Sequence, residues 1–264
     1  MSDAGPLHSR RIVVTRPEAQ SGPMVAGLQH LGAQVVPFPV VRIEPQKRVP
    51  GLEAALRNLS AYDWILFTSI NGVTIFWEHL QRCNISTETM RKPNIAAIGP
   101  ATGEALRRLG AEVAYIPEVY IGEALGEGLP QVAGSRIMLP RAAGSRPVLP
   151  EILRQRDARV DEFHLYRAVQ VHPEAEALVA LREKLDALTF TSPSTVRHFM
   201  QVMNSADLDP TALPGSPVVA CIGPITAQAA SRAGLNPGVV AAAHTIPGLI
   251  QALVAYFDTR GDGR

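Results

Sequence analysis

The sequence predicts an α/β protein built from two similar, doubly wound parallel sheets. Strand-like and helix-like segments alternate along the whole chain, which implies parallel sheets with right-handed crossovers. Ten predicted strands fall into two sets of five. Three motifs also recur in order at nearly one offset. Phe67-Thr68-Ser69 returns as Phe190-Thr191-Ser192, 123 positions on. Ile98-Gly99-Pro100-Ala101-Thr102 returns as Ile222-Gly223-Pro224-Ile225-Thr226, 124 on. Arg11-Ile12-Val13-Val14-Thr15-Arg16 returns as Arg136-Ile137-Met138-Leu139-Pro140-Arg141, 125 on. So long a period indicates two similar domains, because solenoid repeats run about 20–50 residues.

Residues 1–9 are polar and irregular and are expected to lack fixed structure. Arg11–Thr15 is apolar and β-branched, hence a strand. Glu18–Leu31 is a helix with Pro17 near its first turn and Gly32 as its stop. Gln34–Phe38 is the second strand. Residues 37–45 are extended and carry three prolines, each of which disfavours helix before it, so they form a linker. Gly51–Leu59 is helical. Asp63–Thr68 is a buried strand. Thr68, Ser69 and Asn71 offer caps for the helix bearing Val73, Ile75, Phe76, Trp77 and Leu80.

Asn94–Ile98 and Val113–Ile116 are strands that flank a helix at Ala101–Leu109, stopped by Gly110. Glu123–Leu129 is a helix. Arg136–Leu139, a helix at Val148–Arg156 and a strand at Val160–Tyr166 follow. Residues 166–173 form a second extended segment, aligned with the first linker through Arg42 and Arg167. A helix at Ala175–Lys184 leads to the strand Ala187–Thr191. Val218–Ile222 and Val239–Ala242 are the last strands and Ile246–Phe257 the last helix, with a frayed tail from Asp258. Helix stops recur at Gly32, Gly110 and Gly234, with Asp157 in the fourth place.

Composition narrows the function. A hydrophobic content of 46% supplies ample core, and the net charge of +1 gives no global attraction to nucleic acid or acidic membranes. No run of about 18 apolar residues exists to span a membrane. The first eleven residues lack the apolar core of a secretory signal, so a soluble, cytoplasmic protein is expected. Cys83 and Cys221 are too few for a disulfide framework and read as inert buried thiols. The seven histidines show no metal-ligand spacing, so no metal site is expected. Glycine-rich nucleotide loops and a Gly-x-Ser-x-Gly elbow are lacking.

In doubly wound sheets ligands bind beyond the carboxyl ends of the strands. Those ends carry Thr15-Arg16, Thr68-Ser69, Gly99-Pro100-Ala101-Thr102, Arg141, Thr191-Ser192 and Gly223-Pro224-Ile225-Thr226. Hydroxyls and glycines at helix N-termini suit anions, because free N–H groups and the helix dipole converge there. Arg16 and Arg141 add bidentate contacts for a carboxylate. Taken singly, each Ser or Thr reads more readily as an ordinary cap, and each Arg equally as a surface residue. The residues alone therefore define a bilobal, anion-binding α/β protein.

The ordered set Thr15-Arg16-Pro17, Phe67-Thr68-Ser69-x-Asn71-Gly72-Val73, Ile98-Gly99-Pro100-x-Thr102, Leu139-Pro140-Arg141, Tyr166-Arg167, Phe190-x-Ser192-Pro193-Ser194 and Ile222-Gly223-Pro224-x-Thr226-Ala227 resembles uroporphyrinogen-III synthase. The resemblance covers residues 10 to about 257. Gly103 where the second copy has Ala227, and Asp157 in place of a turn glycine, are local departures.

That resemblance implies an enzyme without metal or cofactor. It would convert hydroxymethylbilane, a linear tetrapyrrole with eight carboxylates, to uroporphyrinogen III. Loss of the terminal hydroxyl as water gives an azafulvene. Attack by ring D through its substituted carbon gives a spirocyclic intermediate, which fragments and recloses with that ring inverted. Unaided closure gives isomer I, so the task is mainly geometric. The resemblance implies flavodoxin-like domains at 1–38 with 173–264 and at 45–165. Linker strands at 39–44 and 166–172 join them, and substrate lies in the cleft. A sequential division near 130 is equally open from the repeat alone.

Tyr166 matches the family tyrosine that assists departure of the hydroxyl. Thr68, Ser69, Thr102, Ser192 and Thr226 match positions that hold carboxylates. With Thr15, Arg16, Asn71, Gly99, Arg141, Ser194 and Gly223 from the same motifs they make the expected substrate-binding set. The expected partner is the linear tetrapyrrole alone, with no nucleic acid or membrane, and the expected state is a monomer. The alternative is a bilobal anion-binding or tetrapyrrole-binding sensor module without catalysis.

Overall fold

The computed structural model describes residues 5–259. In chain order the first elements are β1 (Arg11–Val14), α1 (Glu18–His30), β2 (Gln34–Pro37), β3 (Val41–Pro45) and α2 (Leu52–Arg57). Then come β4 (Trp64–Phe67), α3 (Ile70–Arg82), β5 (Asn94–Ala97), α4 (Pro100–Arg108) and α5 (Gly122–Gly128). These are followed by β6 (Arg136–Ala142), α6 (Val148–Gln155), β7 (Arg159–Gln170), α7 (Ala175–Ala180) and β8 (Ala187–Phe190). The last are α8 (Pro193–Ser205), β9 (Val218–Cys221), α9 (Pro224–Arg232), β10 (Pro237–Val240) and α10 (Ile246–Thr259).

Contacts divide the chain into two compact units, one ending at Ile43 and resuming at Val169, the other running from Glu44 to Ala168. The first unit holds a five-stranded sheet in the order β10-β9-β8-β1-β2. All its pairings are parallel. The second sheet has the order β3-β7-β6-β4-β5. Pairings among β7, β6, β4 and β5 are parallel. Segments echoed in sequence occupy matching strands: β1 and β6, β4 and β8, β5 and β9. β8 lies between β1 and β9 as β4 lies between β6 and β5.

Central position explains burial. Every residue of β4 and of β8 is buried, as strands covered by helices on both faces require. Phe67 meets Phe76 edge-on at 5.3 Å, and Phe190 meets Phe199 edge-on at 5.3 Å. The same aromatic pair thus fastens α3 to β4 and α8 to β8. The four helix stops all lie in the left-handed region, with φ of 89° at Gly32, 81° at Gly110, 83° at Gly234 and 64° at Asp157.

Four local expectations are corrected. Residues 5–9 are ordered: Leu7 is fully buried against Ile12, Leu28 and Leu253, and its N–H donates to Leu31 O. One leucine in that core is enough to fix the segment. Val113–Ile116 is not a strand; only Tyr115 bridges, to Ala96 of β5. The helix expected over 175–184 ends at Ala180. The second linker is the end of β7, a continuous strand of 12 residues. Gln46 N–H donates to Leu165 O and Val171 N–H to Val40 O, so β3 runs antiparallel to β7. The expected disorder of residues 1–4 and the end of the expected frayed tail lie outside the described residues.

Candidate functional site

In the unit spanning Glu44–Ala168, β4 leads directly into the cap of α3. Ser69 has extended backbone, and its Oγ accepts the Gly72 N–H at 2.9 Å. The same Oγ lies 2.7 Å from the Tyr166 Oη. A Cβ on Gly72 would come within 3.3 Å of Ser69 Oγ and 3.4 Å of Pro140 O, so glycine keeps the helix start tight against β6. Tyr166 is level with this edge because β7 pairs Tyr166 with Ala142 at the end of β6. Its ring is buried, and its hydroxyl is also hydrogen-bonded to Asn71. Burial pushes the Tyr166 phenol above its usual range, while the bonds to Ser69 and Asn71 and the Arg141 charge pull it down. Thr68 beside them is half-buried.

Arg141 departs from the expected role. It is buried, with 4% of its surface exposed. Nη1 donates to Glu162 Oε2 at 3.0 Å and Nη2 to the Arg146 carbonyl at 2.6 Å. Its fork is therefore already occupied, and its Nε is buried without a partner. The next strand end places extended Gly99 before Pro100 at the first position of α4. The first backbone bond of that turn runs from Gly103 N–H to Gly99 O, so the N–H groups of Ala101 and Thr102 precede it. Thr102 itself is buried. The Tyr120 ring roofs this turn: a Cβ on Gly99 would lie 3.1 Å from it.

The other unit repeats the plan with different partners. Ser192 caps α8 in a reciprocal box: its Oγ accepts Thr195 N–H at 3.2 Å, and Thr195 Oγ1 accepts Ser192 N–H at 3.3 Å. Ser194 Oγ lies 2.9 Å from Ser192 Oγ. Gly223 precedes Pro224 of α9, with Ala227 N–H donating to Gly223 O and Thr226 buried. His244 takes the place of Tyr120, with its ring 3.0 Å from where a Gly223 Cβ would stand.

Thr15 does not reach the edge. It is 1% exposed and donates to Thr189 O at 2.7 Å, while Thr189 Oγ1 donates to Val13 O, so the two hydroxyls lock β1 to β8. Arg16 does reach it. Its Nε donates to Gln20 O, burial pushes its pKa down, and among the described residues no carboxylate faces it. Cys221 is buried and its thiol is pushed up to about 12, as an inert core thiol requires.

The structure thus gathers Ser69, Asn71 and Tyr166 on one unit, which also carries Arg141 near the end of β6. Arg16 stands at the β1 end of the other unit, as do Ser192 and Ser194 after β8 and Gly223 after β9. Sequence reasoning missed Glu162 as the partner of Arg141, and missed Tyr120 and His244. The last two carried a signal, since each stands 21 residues after its strand-end glycine. Among the described residues no three His, Cys, Asp or Glu are grouped to hold a metal, and no helix is long and apolar enough to cross a membrane.

Each of the two α/β units carries a sheet of mostly parallel strands with helix caps at the strand ends, and one of them holds a buried, hydrogen-bonded tyrosine there. Comparison with known proteins gives the class. The family model described as "Uroporphyrinogen-III synthase HemD" matches residues 22–251. The chain belongs to the uroporphyrinogen-III synthase family, the cyclising lyases of tetrapyrrole synthesis. The synthase of Synechococcus elongatus is 33% identical over 254 residues, covering 94% of this chain and 96% of that protein. The porphyrin biosynthesis protein HemD of Ruminiclostridium josui is 31% identical over 253 residues and 94% of this chain, which spans 49% of that longer protein. A mutant synthase structure from Thermus thermophilus shares the fold, with a TM-score of 0.67 at 21% identity over 95% of this chain and all of that one.

Proposed function

We propose that this chain, acting as a cytoplasmic monomer, cyclises hydroxymethylbilane to uroporphyrinogen III with inversion of ring D and loss of water. In this reading residues 1–38 with 173–264 form one domain, 45–165 the other, and 39–44 and 166–172 join them. The observation that carries the chemistry is the contact between Tyr166 Oη and Ser69 Oγ. Ser69 Oγ already accepts from Gly72, so it is free to donate its own hydrogen to the tyrosine oxygen. The phenol hydrogen is then available to an outside acceptor.

That acceptor is the terminal hydroxyl of the bilane. Proton transfer from Tyr166 lets the hydroxyl leave as water while the pyrrole nitrogen lone pair closes the azafulvenium. Ring D attacks, the spirocycle fragments, and the second closure releases a proton that restores the phenol. A phenol held above its usual pKa by burial keeps its proton until the leaving oxygen needs it. The substrate carboxylates are held at the strand ends. Arg16 supplies a charge, the Ser69, Ser192 and Ser194 loops supply hydroxyls, and Gly99-Thr102 and Gly223-Thr226 supply free N–H groups. Thr68 stands beside the first of these loops.

The test is to present freshly generated hydroxymethylbilane, oxidise the products and separate the porphyrin isomers. Type III product in proportion to enzyme is expected. Type I alone, at the rate seen without protein, would overturn the assignment.

A further inference from the structure

A cavity of about 810 Å3 lies at the far end of α3 from the strand edge, walled by residues 47–51, by α2 and by the last turn of α3. α3 begins beside Ser69, and its 13 residues carry the chain roughly 18 Å from there at about 1.5 Å per residue. The cavity therefore belongs to the unit spanning Glu44–Ala168 but stands apart from Tyr166. Its charge is one-sided. Lys47, Arg48, Arg57 and Arg82 line it, and Glu53 is the one carboxylate among the lining residues. Glu53 is already bonded to Arg57 at 2.8 Å. Among the described residues no carboxylate pairs with Lys47, Arg48 or Arg82.

Arg82 is held in a different way. Its Nη2 donates to Nδ1 of the buried His79 at 2.9 Å. A guanidinium can only donate, so Nδ1 accepts and the ring proton sits on Nε2. Burial and the Arg82 charge push the His79 pKa down, which keeps the ring neutral. An arginine fixed by a neutral acceptor is oriented without being neutralised, so its charge stays available to an anion from outside. The arrangement has a cost: His79 Nε2 is buried with no partner among the described residues, a penalty that a leucine there would avoid. Val49, Pro50 and Ala54 add apolar lining.

We propose that this cavity is a second binding site, for a small organic anion carrying two or more negative charges. Arg82 and the Lys47-Arg48 pair hold the charges, and Val49, Pro50 and Ala54 meet the carbon skeleton. The volume falls in the range of about 300–1,000 Å3 usual for ligand sites, more than a lone inorganic ion needs. Phosphate esters and polycarboxylates share this chemistry. The inference stands apart from the reaction proposed for Tyr166.

Calorimetric titration of the full chain in low-salt buffer, with phenyl phosphate and with phthalate, tests it and separates the two sources. Binding of at least one probe with a Kd below about 1 mM is expected. Arg48→Gln/Arg82→Gln should weaken it about tenfold or more. Lys47→Gln/Arg48→Gln, confined to an exposed loop, should weaken it too and covers the case in which the first variant fails to fold. Arg16→Met should bind as the unaltered protein does, and type III turnover without probe should be unchanged in both cavity variants. No binding of either probe at millimolar concentration overturns the proposal. So does equal binding by the unaltered protein and both cavity variants, or binding lost only in Arg16→Met, which would place the probe at the strand ends.

Discussion

The two strand edges share a backbone plan and differ in charge. On the unit that contains β4, the arginine at the end of β6 is buried and neutralised by Glu162, and the serine cap is engaged with Tyr166. On the other unit, the corresponding arginine at the end of β1 has no carboxylate partner among the described residues, and the serine cap is closed on Ser194 and Thr195. Helix caps, extended glycines and N1 prolines recur on both because they are requirements of the strand-to-helix turn. The arginine recurs too, but the carboxylate beside it and the phenol do not. On the proposed reading of Tyr166 and Arg16, the first edge would handle the proton and the second would hold carboxylate.

The largest effect that could break this comparison is at Tyr166. Tyr166→Phe should lower kcat for type III product by about a hundredfold, the usual worth of a positioned general acid, with little change in KM. Steady-state isomer analysis checks it. The variant should fold normally, because the ring stays in place and Ser69 keeps its bond to Gly72. Next in size is Arg16→Met. Loss of one charge-assisted contact of about 2 kcal/mol raises KM about thirtyfold and leaves kcat nearly unchanged. Equal losses in kcat from both variants would erase the distinction between the edges.

The paired caps sharpen the contrast. Ser192→Ala and Ser69→Ala should each destabilise by about 1 kcal/mol, a fall in Tm of about 2–4 °C by calorimetry. Only Ser69→Ala should also lower kcat beyond what its lost stability accounts for, since of the two serines Ser69 is the one hydrogen-bonded to the phenol, while any further effect of Ser192→Ala should fall on KM.

Much of this architecture is legible in the chain. Strand and helix periodicity places the elements, and the echoed motifs place Ser69 with Ser192 and Gly99 with Gly223. What is not legible depends on partners distant in sequence. Arg141 and Arg16 look alike as residues, but strand register sets Glu162 beside one and, among the described residues, no carboxylate beside the other. Thr15 reads as an edge hydroxyl, yet its strand phase turns it inward to Thr189. Leu7 escapes notice because a single leucine in a polar stretch has no period. Tyr115 takes the sheet-edge position with a single bridge, too short a contact for a strand pattern to form.

The smallest expected effect lies at the helix stops, where the units differ by one residue. Gly32 and Gly234 close α1 and α9, and Gly110 closes α4, all with positive φ. Asp157 does the same after α6 at φ 64°, a conformation that an L side chain adopts at a steric cost. Its backbone role is the ordinary one, since Asp157 N–H donates to Arg154 O and its carbonyl accepts Gly134 N–H. Neither bond needs a side chain. Asp157→Gly should therefore relieve strain, offset in part by the greater freedom of glycine in the unfolded chain. A net gain of about 0.5 kcal/mol is expected, read as a rise of about 1–2 °C in Tm with unchanged isomer ratio. A loss of stability would mean that the Asp157 carboxylate contributes more in place than the left-handed backbone costs.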